Sequence, residues 1–367
     1  VGEIVVIGAG VMGSSVAYWL TERGHSVHIV ENAYPGAGAS GASFAWVNAN
    51  AKSPGHYHDL NAAGMKAHRA LADRLGTDRW IAGRGHLEIR TGQGAIGALA
   101  DKVARLHARS YGAEILDRHA VGALVPELAL PGDGELGAVF YPDEFWIDPT
   151  VYIATVLAHA VRSGARVTSG DRVARLVLSA PETVSGVELA SGAVIGGDLV
   201  VNCTGAAVAD LTGQLSWTIA MASTPGLLVY TRAAPTTLDT IVRFDGLEIR
   251  PDGGGRFLLH DHGVDGQLAT EAQVAVLAQH LLDTARKRFP ALANVGIESW
   301  RTPLRPLPGD GLPLVGRPGG ASSYYVVATH SGVTLAPHLG ALIASDIDGE
   351  DPEVLRPYRP DRLMTRT

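Results

Sequence analysis

The most regular pattern of apolar and polar positions lies at the start of the chain. Ile4 to Ile7 form an unbroken apolar run. Gly8, Gly10 and Gly13 follow with G-x-G-x-x-G spacing, and Met12, Val16, Trp19 and Leu20 then recur at helical intervals. Gly24 closes that segment, and a second apolar run, Val27 to Val30, ends on Glu31, eighteen residues beyond Gly13. Short apolar runs read as buried strands and a 3.6-residue recurrence as a helix. The pattern therefore predicts strand, tight turn, helix, strand and acid.

Farther on, Leu60, Met65, Ala67, Leu71 and Leu75 predict a helix opened by His56-Tyr57-His58, and Ile96, Leu99, Val103 and Leu106 predict another over residues 95–110. A short helix is expected within 115–126, and residues 141–146 read as an aromatic loop. Asp148 before Pro149 is a strong helix start, with Val156, Leu157, Ala160 and Val161 as the buried face. Alternation or short apolar runs predict strands at 84–90, 172–178, 184–189, 198–203, 227–230, 247–250, 256–259 and 324–328. Helices are expected at 271–289 and after Ser331.

Chemistry enters with the first unit, which has the form of a βαβ dinucleotide site. Gly8 permits the sharp turn, Gly10 lets a pyrophosphate approach the backbone, and Gly13 lets helix and sheet pack closely. The helix start offers N–H groups and a positive dipole end to phosphates. Glu31 is placed to accept from the ribose hydroxyls. An acid there favours FAD or NAD over NADP. The small-residue loop 35–46 begins where the ribose would lie, and Gly205, ending a buried strand, lies near the same ligand.

Composition narrows the class. With 46% hydrophobic and 18% charged residues over 367 positions, the chain is globular. A net charge of -7 gives no basic field for nucleic acid. Cys203 is the single cysteine, so no intramolecular disulfide or cysteine metal cluster is available; it reads as core filler. His56 and His58 read as surface or satisfied loop histidines, since no third ligand is spaced to complete a site, and no metal is expected. No stretch has membrane-spanning length, and the early glycine unit leaves no room for a signal peptide. A cytoplasmic protein is expected. Oligomeric state is not legible.

Taken together, the Gly8 to Gly13 turn with Glu31, the 41–45 loop, the 198–205 strand, Arg305-Pro306 with Asp310-Gly311-Leu312-Pro313-Leu314-Val315-Gly316, and Ser331-Gly332-Val333-Thr334 resemble the FAD-dependent D-amino-acid oxidase superfamily, in the branch of glycine oxidases, sarcosine oxidases and D-amino-acid dehydrogenases. The resemblance implies an α/β (α+β overall) protein. A Rossmann-like FAD-binding domain would be drawn discontinuously from 1–80, 148–215 and 303–367, with a mixed-sheet substrate domain from 81–147 and 216–302. It implies hydride transfer from a carbon beside an amine nitrogen to flavin N5, and an imine that hydrolyses in water. The substrate would be an amine or amino acid, and the electron acceptor O2 or another oxidant. Expected cofactor positions are Gly8, Gly10, Val11, Met12, Gly13, Glu31, Asn32, Ser40, Ser43, Ala45, Trp46, Val173, Gly205, Gly332, Val333 and Thr334.

On the substrate side, Arg305 matches a carboxylate-gripping arginine, His330 falls where some relatives have a second one, and Glu248 and Arg250 lie on a strand that faces the flavin in relatives. No certain catalytic base is implied. No cysteine stands near Pro303 and no histidine lies within 43–50, so FAD is expected to be non-covalent. Thr334 replaces a lysine found in sarcosine-oxidase-like members, which leaves oxidase and dehydrogenase both open. A 2-hydroxy-acid dehydrogenase and a flavin-binding subunit of a larger complex also stay open.

Overall fold

The computed structural model describes residues 2–132, 134–268, 270–321 and 323–366. Two sheets dominate it. The first has six strands in the order Leu314–Gly316, Tyr324–Ala328, Leu199–Asn202, Glu3–Ile7, Ser26–Glu31 and Arg166–Ser169. All neighbours in it are parallel except the Leu314–Gly316 edge. Glu3–Ile7 lies between the strand that follows it in sequence and one nearly 200 residues later, which makes its carboxyl end a topological switch point. The helices Val11–Glu22, Gly55–Leu75, Pro149–Arg162 and Gly332–Ile347 pack against this sheet through one apolar core.

The second sheet is mixed and has eight strands. Their order is Ile297–Arg301, Leu228–Thr231, Phe257–His260, Leu247–Pro251, Ile241–Phe244, His86–Thr91, Leu136–Tyr141 and Glu114–Leu116. Side chains alternate across a strand, so each strand here serves two environments. Leu247, Ile249, Leu259, Val242, Phe244 and Leu87 form one apolar core with Val274, Ala278, Leu281 and Leu282 of the helix Glu271–Arg288. Residues between them point the other way, toward the first sheet.

Several expected elements differ. The 141–146 aromatic stretch is a loop only at residues 142–144: Tyr141 ends one strand and Phe145–Ile147 forms another, with Trp146 opposite Trp46. Its rings are buried as cross-strand partners, the arrangement that aromatic residues favour in sheets. Within 115–126 the helix begins only at Arg118, after the strand Glu114–Leu116. Ile96 and Val161 are exposed, because Ala95 and Tyr152 with Ile153 supply the buried positions on those helices. Trp217–Ile219 pairs with Met364–Arg366 and shares the core of the first sheet. Asp148 caps its helix as expected, accepting from the N–H groups of Thr150 and Val151. No helix among the described residues is long and apolar enough to cross a membrane.

Candidate FAD and substrate site

The first turn is closed by steric need. Gly8 has φ +95°, and a Cβ on Gly13 would stand 1.9 Å from the Gly8 carbonyl oxygen. A Cβ on Gly10 would come within 2.8 Å of Ser40 Oγ, the hydroxyl that accepts from the Val11 N–H at 3.0 Å. The N-cap residue Gly10 has no side chain to cap the helix Val11–Glu22, so beyond Val11, which Ser40 holds, the first-turn amides of Met12 and Gly13 remain for an anion. Glu31 Oε2 accepts from the Ala9 N–H at 2.8 Å and Oε1 from the Ala33 N–H at 3.0 Å. Each oxygen keeps a further lone pair for a ribose hydroxyl. Asn32 is exposed just past that strand, and Val173 opens a separate three-stranded sheet opposite Leu189.

A second helix start stands beside the first. The helix Gly332–Ile347 also lacks a side-chain cap, and a Cβ on Gly332 would touch Val11 and Met12 at 3.5 Å. Ser15 Oγ donates to the Ala336 carbonyl at 2.6 Å, which joins the two helices. Thr334 Oγ1 lies 3.4 Å from both the Trp46 carbonyl and the Asn48 N–H. Gly205, with φ +64°, faces Pro306. Two uncapped helix starts, a turn that admits no side chains and an acid at the second strand end together fit an extended dinucleotide.

The loop that would run beside the ligand is held from below. Ala45 takes the left-handed φ of 57°, uncommon for a residue with a Cβ, and Ser43 Oγ accepts from its N–H at 3.0 Å. Buried Glu144 accepts from Trp46 Nε1 at 2.8 Å, Asn50 Nδ2 at 2.7 Å and the Tyr111 hydroxyl at 2.6 Å. Lys102 Nζ then bridges Asn50 Oδ1 at 2.7 Å and Glu88 Oε2 at 2.6 Å. Burial would raise the Glu88 pKa, but Lys102, Arg90 and Tyr141 outweigh it and bring it to about 2.

Above this loop lies the charged face of the eight-stranded sheet. Glu88, Arg243, Glu248 and His260 stand directly opposite one another on successive strands. Glu248 and Arg250 are both inward, at 3% and 5% exposure. Arg250 Nε donates to the Phe44 carbonyl at 2.7 Å and its guanidinium lies over the Phe44 ring, so it braces the cofactor loop. Glu248 Oε2 is 2.9 Å from His260 Nδ1, and His260 Nε2 is 3.4 Å from Asp265 Oδ2. Burial alone would lower the His260 pKa; contacts with Asp265 and Glu248 outweigh it and lift it to about 9.

Arg305 Nη2 lies 2.8 Å from Asp265 Oδ2, and Nη1 is 3.3 Å from His262 Nδ1. Arg305 is thus an ion-pair partner as well as the expected carboxylate anchor. His330 keeps over a third of its surface in solvent yet sits in a crowded cleft. Desolvation, followed by the charges of Lys52, Arg305, His262 and His260, lowers its pKa to about 3 and leaves it neutral. Half-buried Lys52 stands near the same cluster, its pKa lowered by burial against the pull of Glu144 and Glu248.

Glu88, Glu144, Lys52, His260 and Asp265 were not legible as site residues. The dense titratable run His260-Asp261-His262-Gly263-Val264-Asp265 was the available signal for two of them. Of the histidines near the loop, His58 is buried with Nδ1 2.9 Å from the Ala49 carbonyl, and His56 Nδ1 meets the Tyr358 hydroxyl at 2.9 Å. Cys203 is buried against the glycine turn, and desolvation raises its thiol pKa.

Residues 3–345 match the model of the FAD dependent oxidoreductase family, and the chain belongs to that family. It is a flavoprotein oxidoreductase whose cofactor is FAD. The chain is similar to a glycine oxidase of Bacillus licheniformis, 26% identical over 95% of this chain and 93% of the relative. It is also similar to a D-amino acid dehydrogenase of Methylobacterium sp. (strain 4-46), 25% identical over 99% of both chains. The solved glycine oxidase from Geobacillus kaustophilus superposes with a TM-score of 0.86 over 98% of both chains at 22% identity, a likeness of fold.

Proposed function

We propose that this protein oxidises the C–N bond of an amino acid or secondary amine, giving an imine that water hydrolyses, with FAD held non-covalently. The observation that carries the reading is the buried charged face of the second sheet, where Glu248, His260, Asp265 and Arg305 converge opposite the Phe44 loop. Buried charges are costly and concentrate where ligands are handled. Relatives named glycine oxidase and D-amino acid dehydrogenase support an amino-acid substrate.

FAD would supply the two-electron acceptor. This chain's residues would do the rest: the turn Gly8 to Gly13 and Glu31 hold the dinucleotide, with Asn32, Ser40, Ser43, Ala45, Trp46, Val173 and Gly205 along it. The N–H groups of Gly332, Val333 and Thr334 would favour negative charge at the far end. Arg305 would grip the substrate carboxylate, for which a planar guanidinium is well shaped, and His330 would border it as a neutral group. Glu248 faces the substrate side, while Arg250 supports the loop. The electron acceptor is O2 or a partner oxidant.

The test is anaerobic mixing with D-amino acids, N-methyl amino acids, cyclic imino acids and hydroxy acids while flavin absorbance is followed. Amine substrates should bleach the flavin, and bleaching by hydroxy acids alone would overturn the reading. Acid precipitation should release FAD into the supernatant. Arg305→Ala should raise KM for carboxylate substrates about tenfold or more, from loss of a charged hydrogen-bond pair, with FAD still bound.

A further inference from the structure

The strand Phe257–His260 runs beside Leu247–Pro251, and His260 lies directly opposite Glu248, both side chains buried on the inward face. The chain then turns at once. Asp261 Oδ1 accepts from the Gly263 N–H at 2.7 Å and caps the short helix His262–Asp265, which brings His262 back toward Glu248. One donor atom from each of Glu248, His260 and His262 consequently lies within 4.8 Å of the other two. Unlike His56 and His58, this pair of histidines has a third ligand, supplied by the neighbouring strand. His260 Nδ1 is 2.9 Å from Glu248 Oε2, and His262 Nε2 is 4.0 Å from Glu248 Oε1. Ligands about 2.1 Å from a tetrahedral zinc ion stand roughly 3.4 Å apart, so these two spacings bracket the one a metal requires.

The far edges of both rings meet one carboxylate. Asp265 Oδ2 is 3.4 Å from His260 Nε2 and 3.5 Å from His262 Nδ1, the nitrogens that do not face Glu248. Asp265 is itself fixed, since Oδ1 accepts from the Leu227 N–H at 3.0 Å. Its Oδ2 is buried without an aligned hydrogen-bond donor. Metal-binding histidines donate their second ring N–H to a carboxylate, which sets the tautomer and raises the basicity of the ligating nitrogen. Asp265 stands where it can do so for both rings. Two imidazoles and a carboxylate suit zinc, nickel or copper rather than magnesium or calcium, which take oxygen ligands. His262 is half-exposed, which gives an ion a way in, and three protein ligands leave a fourth position open.

The neighbouring cations decide how tightly an ion is held. Zinc would replace the proton on His260, so the site gains one net positive charge. Arg305 at 2.8 Å from Asp265, Arg243 at 3.7 Å from Glu248 and the nearby Lys52 all oppose that gain. Arg305 Nη1 also lies 3.3 Å from His262 Nδ1, and a nitrogen that accepts from Arg305 cannot also donate to Asp265. Metal binding therefore requires Arg305 to release His262.

We infer that Glu248, His260 and His262 form a site for a divalent transition-metal ion such as zinc, with Asp265 orienting both rings, and that the bound ion excludes substrate. The metal site stands on its geometry alone. The exclusion rests on the proposed reaction, in which Glu248 faces the substrate and Arg305 grips its carboxylate: an ion held by Glu248 fills that side of the cleft and disturbs the anchor.

The experiment takes FAD-loaded protein, strips it with a chelator and dialyses it against zinc chloride, with zinc per chain and Kd as the readings. One zinc per chain should bind with Kd on the order of 10 µM, weaker than a four-ligand structural site because three ligands act against opposing charge. Asp265→Asn should weaken binding about tenfold or more, the scale for losing a carboxylate behind a ligating histidine, and Asp265→Glu should recover part of the loss. His260→Asn and His262→Ala, which remove ligands, should weaken it further. The His262 side chain is half-exposed, so His262→Ala reads the site even if His260→Asn folds poorly. No saturable uptake by about 1 mM zinc, or uptake unchanged in both histidine variants, overturns the site. Anaerobic flavin bleaching by an amine substrate should show a raised apparent KM with zinc and recover on chelation. Zinc bound at one per chain with bleaching unchanged overturns the exclusion. If no amine bleaches the flavin, the proposed reaction fails, and zinc uptake still decides the site.

Discussion

Under the proposed function, the carboxyl edge of the parallel sheet and the inward face of the mixed sheet recognise their ligands by opposite means. At the parallel edge the work is done by backbone and by absent side chains: Gly8, Gly10, Gly13 and two uncapped helix starts. On the mixed sheet it is done by side chains that project from every second position, among them Glu248, Arg250 and His260. The first kind of site tolerates almost no added atom. The second tolerates volume changes but is sensitive to charge, because each ionised group there depends on its neighbours for compensation.

The sharpest way to break the parallel edge is Gly13→Ala. The new Cβ would need the space of the Gly8 carbonyl, so the strand and helix must separate, and overpacking of this kind costs about 1–3 kcal/mol or more. The expected product carries little or no FAD, measured as flavin absorbance per chain; full loading would contradict the steric argument. A smaller effect on cofactor binding is expected from the apolar side of the mixed sheet. Ile249→Ala, between Glu248 and Arg250 but facing the helix Glu271–Arg288, should destabilise by about 2–5 kcal/mol in chemical denaturation while leaving the flavin spectrum of the folded protein unchanged.

The smallest effect concerns charge. The His260 pKa is lifted to about 9 in the folded protein, above the ordinary value of about 6.5. Its contribution to stability is therefore complete below the unfolded pKa and fades as pH rises through about 9. Melting temperature should fall between about pH 7 and 9.5 in the wild type and vary less over that range in His260→Asn. Equal slopes in the two proteins would show that His260 is not held as an imidazolium.

The same contrast explains what could be read from the chain. The glycine spacing, Glu31 and the apolar runs are local, so the first turn and the parallel strands were legible from residue order alone. Glu248 and Arg250 share one face of their strand, but alternation does not say which face of a strand is buried when both sides are covered. Glu88 reads as the polar half of an alternating strand and is buried because a second layer lies over it. Glu144 lies in the short turn of an aromatic stretch, where residue order gives no sign that it is buried. Asn50 and Lys52 come from one segment and Lys102 from another, and only the fold brings Lys102 to Asn50.

The pairing of the first and last helices bears on how the protein is made. A Cβ on Gly332 would touch Met12, and Ser15 is tied to Ala336, 321 residues further along the chain, so the two walls of the proposed FAD cradle leave the ribosome far apart in time. A nascent chain stopped before Gly332 has the glycine turn but lacks the helix start beside it. Completion of the cradle therefore waits for the helix Gly332–Ile347, and until then the flank of Val11–Glu22 that this helix covers stands open and in need of protection from aggregation.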